Sequence, residues 1–178
     1  MRVRMADDRE SGRGRAPPDL QIRPATAEDW PAIWAMLEPV FRAGETYAVD
    51  RDISEAAARA MWLDRPVATF VAEASILLGT YYVRTNHGGG ASHVCNCGYV
   101  TDAAARGRGV ARAMCLHSQD RARAMGYRAM QFNLVLASNT GALRLWGSLG
   151  FCIVGTLPEA FRHPRLGPVD AHVMWKRL

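Results

Sequence analysis

Apolar residues recur along this chain at two spacings, and the switches between them mark out alternating strands and helices. Leu20 to Arg23 reads as a short strand. Thr26 then caps a helix, with Asp29 at the third following position and Pro31 in its first turn. Ile33, Met36, Leu37, Val40 and Phe41 return at helical spacing until Gly44 stops the run. Ser54 caps a second, shorter helix through Leu63, ended by Asp64-Arg65-Pro66. Val67 to Ala72 and Ile76 to Thr85 read as a hairpin of strands, Asn86-His87-Gly88-Gly89-Gly90 as a turn, and Ser92 to Val100 as a third long strand. A helix runs to about Met125, a strand from Ala129 to Leu136, and a helix from Asn139 to Leu149 with Gly150 as its stop. Phe151 to Leu157 and Val169 to Trp175 form a closing antiparallel pair. The order β-α-α-β-β-β-α-β-α-β-β predicts an α/β fold, a mixed sheet with helices on both faces.

Length and composition narrow this picture. A chain of 178 residues suffices for one packed domain and is short for two. Residues 1–18, rich in Arg, Pro and Gly, predict a disordered tail, leaving 19–178 as a single domain. The net charge of +5 rests on arginine, since Lys176 is the only lysine. Those arginines are scattered rather than gathered in a stripe, which favours an anionic small ligand over a nucleic-acid partner. No apolar run reaches a membrane span, and Met1 to Glu10 lacks the apolar core of a secretory signal. A cytoplasmic protein with no membrane partner is the expectation. Cys95, Cys97, Cys115 and Cys152 fit that compartment as free thiols, with Cys95 and Cys97 read as buried. Cys95-x-Cys97 with His93 lacks a second ligand pair at metal spacing, so no metal is expected.

Chemistry concentrates in Arg106-Gly107-Arg108-Gly109-Val110-Ala111, between the third long strand and a helix. An R-x-x-G-x-A turn opening a helix offers free backbone N–H groups, close ligand approach and positive charge at one point. That combination suits a pyrophosphate. Gly12-Arg13-Gly14-Arg15 repeats the letters, but no strand precedes it and Pro17-Pro18 prevents a helix after it. Asn139-Thr140-Gly141-Ala142-Leu143-Arg144-Leu145-Trp146-Gly147-Ser148-Leu149-Gly150-Phe151 follows later.

With this loop and helix in this order, the chain resembles the GNAT superfamily of acetyl-CoA-dependent N-acetyltransferases over Leu20 to Lys176. The family's loop has the form R/Q-x-x-G-x-G/A and its later helix N-x-x-A-x-x-L-Y-x-x-x-G-F. Gly44-Glu45-Thr46-Tyr47 is similar to the phosphinothricin and L-amino-acid N-acyltransferase type, although Ala48-Val49-Asp50 replaces the proline often found there. The resemblance implies a mostly antiparallel sheet with a splayed strand pair and acetyl-CoA as acyl donor. It implies that Gly98, Tyr99 and Val100 pair with the pantetheine arm, that Arg106, Gly107, Arg108, Gly109, Val110 and Ala111 hold the pyrophosphate, and that Asn139 contacts the cofactor. Trp146 stands where many relatives place a tyrosine beside the sulfur, and is expected to pack on the cofactor. Glu45 is the first candidate to meet the incoming amine, with an exposed loop carboxylate as its alternative. Tyr47 lines the same pocket or packs in the core.

The acceptor is read as a small-molecule amine, an amino acid or analogue. Arg42, Arg51 and Arg59, between spread-out acids, suit a substrate carboxylate better than a polycation. His87 and His93 read as surface residues, Asp170 as a turn carboxylate and Cys97 as packing. Acetylation of a protein N-terminus, and a non-catalytic acyl-CoA-binding module, stand as alternatives. Relatives of this type are often dimers, so a homodimer stays open.

Overall fold

Asp29 reaches back to accept the Thr26 N–H at 2.8 Å, and this turn launches the first helix. The computed structural model describes residues 16–178, so the expected tail lies almost wholly outside the described residues. After β1 (Gln21–Pro24) comes α1 (Trp30–Ala43), which Gly44 ends at φ 64°. Ser54 accepts the Ala57 N–H to start α2 (Glu55–Arg59), which continues as a π-helical turn over Ala60–Asp64. There follow β2 (Ala68–Glu73), β3 (Leu77–Thr85), β4 (Val94–Thr101), α3 (Val110–Ala124), β5 (Ala129–Leu136), α4 (Thr140–Ser148), β6 (Cys152–His163) and β7 (Gly167–Arg177). This is the order that the pattern predicts.

The strands form a single seven-stranded sheet, β1-β2-β3-β4-β5-β7-β6, in which β4–β5 is the parallel pair. Side chains alternate across it into two cores. On one face α1 and α2 bury Ile33, Leu37, Phe41 and Trp62 over Val71, Tyr82 and Val100. On the other, α3 and α4 bury Val110, Met114, Cys115 and Trp146 over Tyr81, Cys95, Cys97, Met130 and Phe132. Helices on both faces are therefore observed. No helix among the described residues is long and apolar enough to cross a membrane.

One expectation needs correcting. The closing hairpin is longer than the pattern suggests, with 12 residues in β6 and 11 in β7. β6 is the sheet's edge and is exposed from Cys152 to Ala160, so burial imposes no alternation on its sequence. Cys95 and Cys97 are buried free thiols as expected, Cys115 is buried too, and Cys152 lies exposed on β6.

Arg23 ties β1 to both neighbours, bonding the Asp29 carboxylate at 2.7 and 2.9 Å and Glu73 at 2.8 and 2.9 Å. The Arg23 hydrogen bonds hold the Asp29 carboxyl down at about 2. A depressed folded-state pKa stabilises above the unfolded value near 3.9, and the benefit is lost as pH falls through the folded one. Asp29→Asn is thus expected to melt below wild type at pH 7, with the gap closing as pH falls from about 4 towards 2. Thermal melts across that range check it; a gap independent of pH would contradict the assignment.

Candidate active site

The glycine segment begins where β4 runs out. Asp102 accepts the Ala104 N–H at 2.8 Å and starts a 3-10 turn over Ala103–Ala105. Gly107 and Gly109 then take φ 74° and 75°, a region that penalises any Cβ. The first helical bond of α3 runs from Ala113 N–H to the Gly109 carbonyl at 3.0 Å. The N–H groups of Val110, Ala111 and Arg112 therefore have no helical acceptor. Arg106, Gly107 and Arg108 are exposed beside them. Orphan donors, the helix dipole and two guanidiniums together make a site for a multiply charged anion.

Next to this loop the sheet opens. β4 and β5 pair only at Val94–Ala129 and Cys95–Met130 before they diverge. Asn96, buried, bridges the base of the gap by donating from Nδ2 to the Gln131 carbonyl at 2.9 Å. Its Oδ1 accepts from Arg84 Nε at 3.2 Å, which fixes the amide's orientation. On the α4 side Trp146 fills the opening, its ring 5.1 Å from Tyr99 on β4 and 5.2 Å from Phe132 on β5. Tyr99 anchors back to α3 through its hydroxyl, 2.7 Å from Ser118 Oγ. Gly98 has a packing reason: a Cβ there would stand 2.6 Å from the Tyr82 ring. From the other face Tyr47 reaches in, and its hydroxyl accepts the Tyr99 N–H and donates to the Tyr99 carbonyl, both at 2.9 Å.

An open cavity of about 480 Å³ is lined by Glu45, Ser138, Asn139, His163 and Arg165. Tyr47 lines a separate cavity rather than the one expected with Glu45. Arg165, in the β6–β7 turn, pairs with Glu45 at 2.9 Å. His163 is buried and accepts the Arg165 and Leu166 N–H groups on Nδ1, at 3.2 and 3.3 Å. That pattern assigns the remaining ring proton to Nε2. Asn139 caps α4, its Oδ1 accepting the Ala142 N–H at 3.1 Å. Asn96, His163 and Arg165 were not singled out by sequence reasoning, because only the folded chain brings them here.

Several predicted neighbours are occupied elsewhere. Arg42 donates to the Arg51 and Ile53 carbonyls and Arg51 to the Arg42 carbonyl, so both strap the α1–α2 loop. Arg59 pairs with Asp64. Asp170 accepts the Glu159 N–H at 2.9 Å, and His87 and His93 are exposed at the far turn. Burial pushes the Cys97 thiol well above its ordinary value, which keeps it neutral and unsuited to nucleophilic attack.

Residues 30–151, which include the glycine loop, the splayed pair and α4, match the acetyltransferase (GNAT) family. The chain belongs to the GNAT acetyltransferase family. A GCN5-related N-acetyltransferase from Kribbella flavida is 43% identical, with a TM-score of 0.87 over 92% of this chain and 100% of that one. A GNAT phosphinothricin acetyltransferase from Sinorhizobium meliloti, solved with acetyl-CoA, shares the fold at 21% identity, with a TM-score of 0.78 over 90% and 89%. The N-acetyltransferase aca1 of Schizosaccharomyces pombe is 35% identical over 98 residues, 54% of this chain. That match spans about half (47%) of the curated relative's length. Within the family's sheet, Trp146 and Phe132 keep β4 and β5 apart from one side, while Tyr47 enters the GNAT splay from the other.

Proposed function

We propose that this GNAT chain transfers the acetyl group of acetyl-CoA to the primary amine of a small molecule, an amino acid or analogue, by direct attack in a ternary complex. The observation that carries this reading is the splayed strand pair: β4 is left open where β5 diverges, and the chain runs from the end of β4 into the orphan N–H groups that begin α3. Glu45 and Arg165 pair at a separate open cavity. Gly107, Gly109, Val110 and Ala111 would hold the pyrophosphate with Arg106 and Arg108. The extended, amide-bearing arm would lie along β4, as a peptide adds to an open sheet edge.

On the acceptor side, Glu45 and Arg165 offer opposite charges to opposite ends of a zwitterion. The ammonium exchanges for Arg165 at the Glu45 carboxylate, and the substrate carboxylate exchanges for Glu45 at the guanidinium. Glu45 or a water beside it takes the amine proton. The freed nitrogen forms a bond to the thioester carbon, the carbon–sulfur bond breaks and the thiolate leaves. The second proton lost from the nitrogen passes through solvent to that thiolate, giving the amide and the CoA thiol. An α-amine with pKa near 8 needs only a modest base, and a thiol with pKa near 8.5 leaves without a strong acid. Trp146 could donate a hydrogen bond but not a proton, so positioning has to carry the rate, worth roughly 7–11 kcal/mol in well-oriented systems. The free carboxylate demanded by Arg165 favours amino acids over a protein N-terminus, whose α-carboxyl is tied up in a peptide bond.

Glu45→Gln is expected to lower kcat/KM about 100-fold on the best amine while leaving acetyl-CoA affinity within about twofold. Steady-state thiol release with a parallel donor titration checks it. An unchanged kcat/KM would remove Glu45 from the mechanism.

A further inference from the structure

Where β5 has diverged, the backbone of Tyr99 is turned into the gap, and one side chain answers both of its polar groups. The Tyr47 hydroxyl has one proton and two lone pairs, enough to accept the N–H and donate to the carbonyl at once. Buried backbone groups do not stay unmet, so something has to stand there until a ligand arrives. The phenol is well held for that task. Phe41 and Trp62 pack edge-on against its ring, each with centroids 5.8 Å away. Burial raises its pKa, which keeps the proton in place through the neutral range. It also has somewhere to go: an open cavity of about 410 Å³ lies beside it, lined by Tyr47 itself, Ala48, Val49 and Phe161.

We propose that Tyr47 is a positioning residue that guards the donor slot: its hydroxyl holds the Tyr99 N–H and carbonyl in the donor-free enzyme and yields them to the acyl-CoA arm. The inference rests on the acyl-CoA reading given above. An extended chain of amides ending in a thioester carbonyl pairs with β4 only through such groups, and at Tyr99 they are taken. Donor binding therefore displaces the ring. Tyr47 lies two residues from Glu45, in the Gly44–Ile53 loop strapped by Arg42 and Arg51. Displacing it moves the segment that carries Glu45, so the acceptor cavity takes its working shape once the donor is seated.

Tyr47→Phe keeps the ring and removes the competitor. Calorimetric titration of the full chain with acetyl-CoA is expected to give about fivefold to tenfold tighter binding in this variant. Hydrogen exchange on wild type supplies a second readout that needs no variant. Adding acetyl-CoA should speed exchange across residues 44–53 and slow it across 94–101. Equal or weaker acetyl-CoA binding by Tyr47→Phe would overturn the proposal, as would a 44–53 segment indifferent to the donor. If Tyr47→Phe does not fold, the exchange experiment decides alone. Wild type that fails to bind acetyl-CoA at all would instead refute the acyl-CoA reading, and the guard with it.

Discussion

Replacing Gly109 by glutamate is expected to weaken acetyl-CoA binding at least about 100-fold while the chain still folds. Gly109 sits at φ 75° as the residue before the first turn of α3, so any side chain there carries some left-handed strain. Strain alone is shared by Gly109→Ala, which makes alanine the control. Glutamate adds a negative charge where orphan N–H groups face outward. Two unit charges 4 Å apart repel by about 4 kcal/mol at an effective dielectric of 20, more than enough for a 100-fold loss. Calorimetry on both variants, with melts run without ligand, separates the terms. If Gly109→Glu folds and binds acetyl-CoA like Gly109→Ala, the anion site is not at this loop.

Trp146→Ala is expected to cost about 3–5 kcal/mol of stability, the usual range for losing a buried large aromatic. For a chain of this size that lowers the melting temperature by roughly 6–20 °C. Trp146 is 8% exposed and touches both splayed strands, so its removal leaves a hole at the point that keeps β4 and β5 apart. Trp146→Phe keeps much of that volume. Its kcat is expected to stay within about threefold of wild type, because indole delivers no proton to the leaving sulfur. Differential scanning calorimetry and thiol-release kinetics read the two effects separately. A large kcat loss in a stable Trp146→Phe would assign the indole a chemical role.

What could be read from the chain was mostly local. Thr26 with Asp29, Ser54 before Glu55, Gly44, Gly150, and Asn139 before Thr140 act within one helical turn, and each acts where its spacing places it. The glycine loop belongs to the same class, since its left-handed residues and the helix start are set by neighbours. The pairings that build the site are not local. Tyr47 meets Tyr99 across 52 positions, Asn96 meets the Gln131 carbonyl across 35, and Arg165 meets Glu45 from the far hairpin. Arg42 and Arg51 show the converse. Their charge suggested a substrate carboxylate, yet both bond backbone carbonyls of their own loop. Arg165 went unread because its hairpin, exposed on both faces along β6, carries no periodic signal.

The most direct test is thiol release from acetyl-CoA by wild type, offered a panel of amino acids, their methyl esters and the matching amines without a carboxylate. Turnover is expected to concentrate on free amino acids, with esters and plain amines at least about tenfold poorer in kcat/KM. Acetyl-CoA binding without turnover on any amine would contradict it and leave a binding module in place of an enzyme.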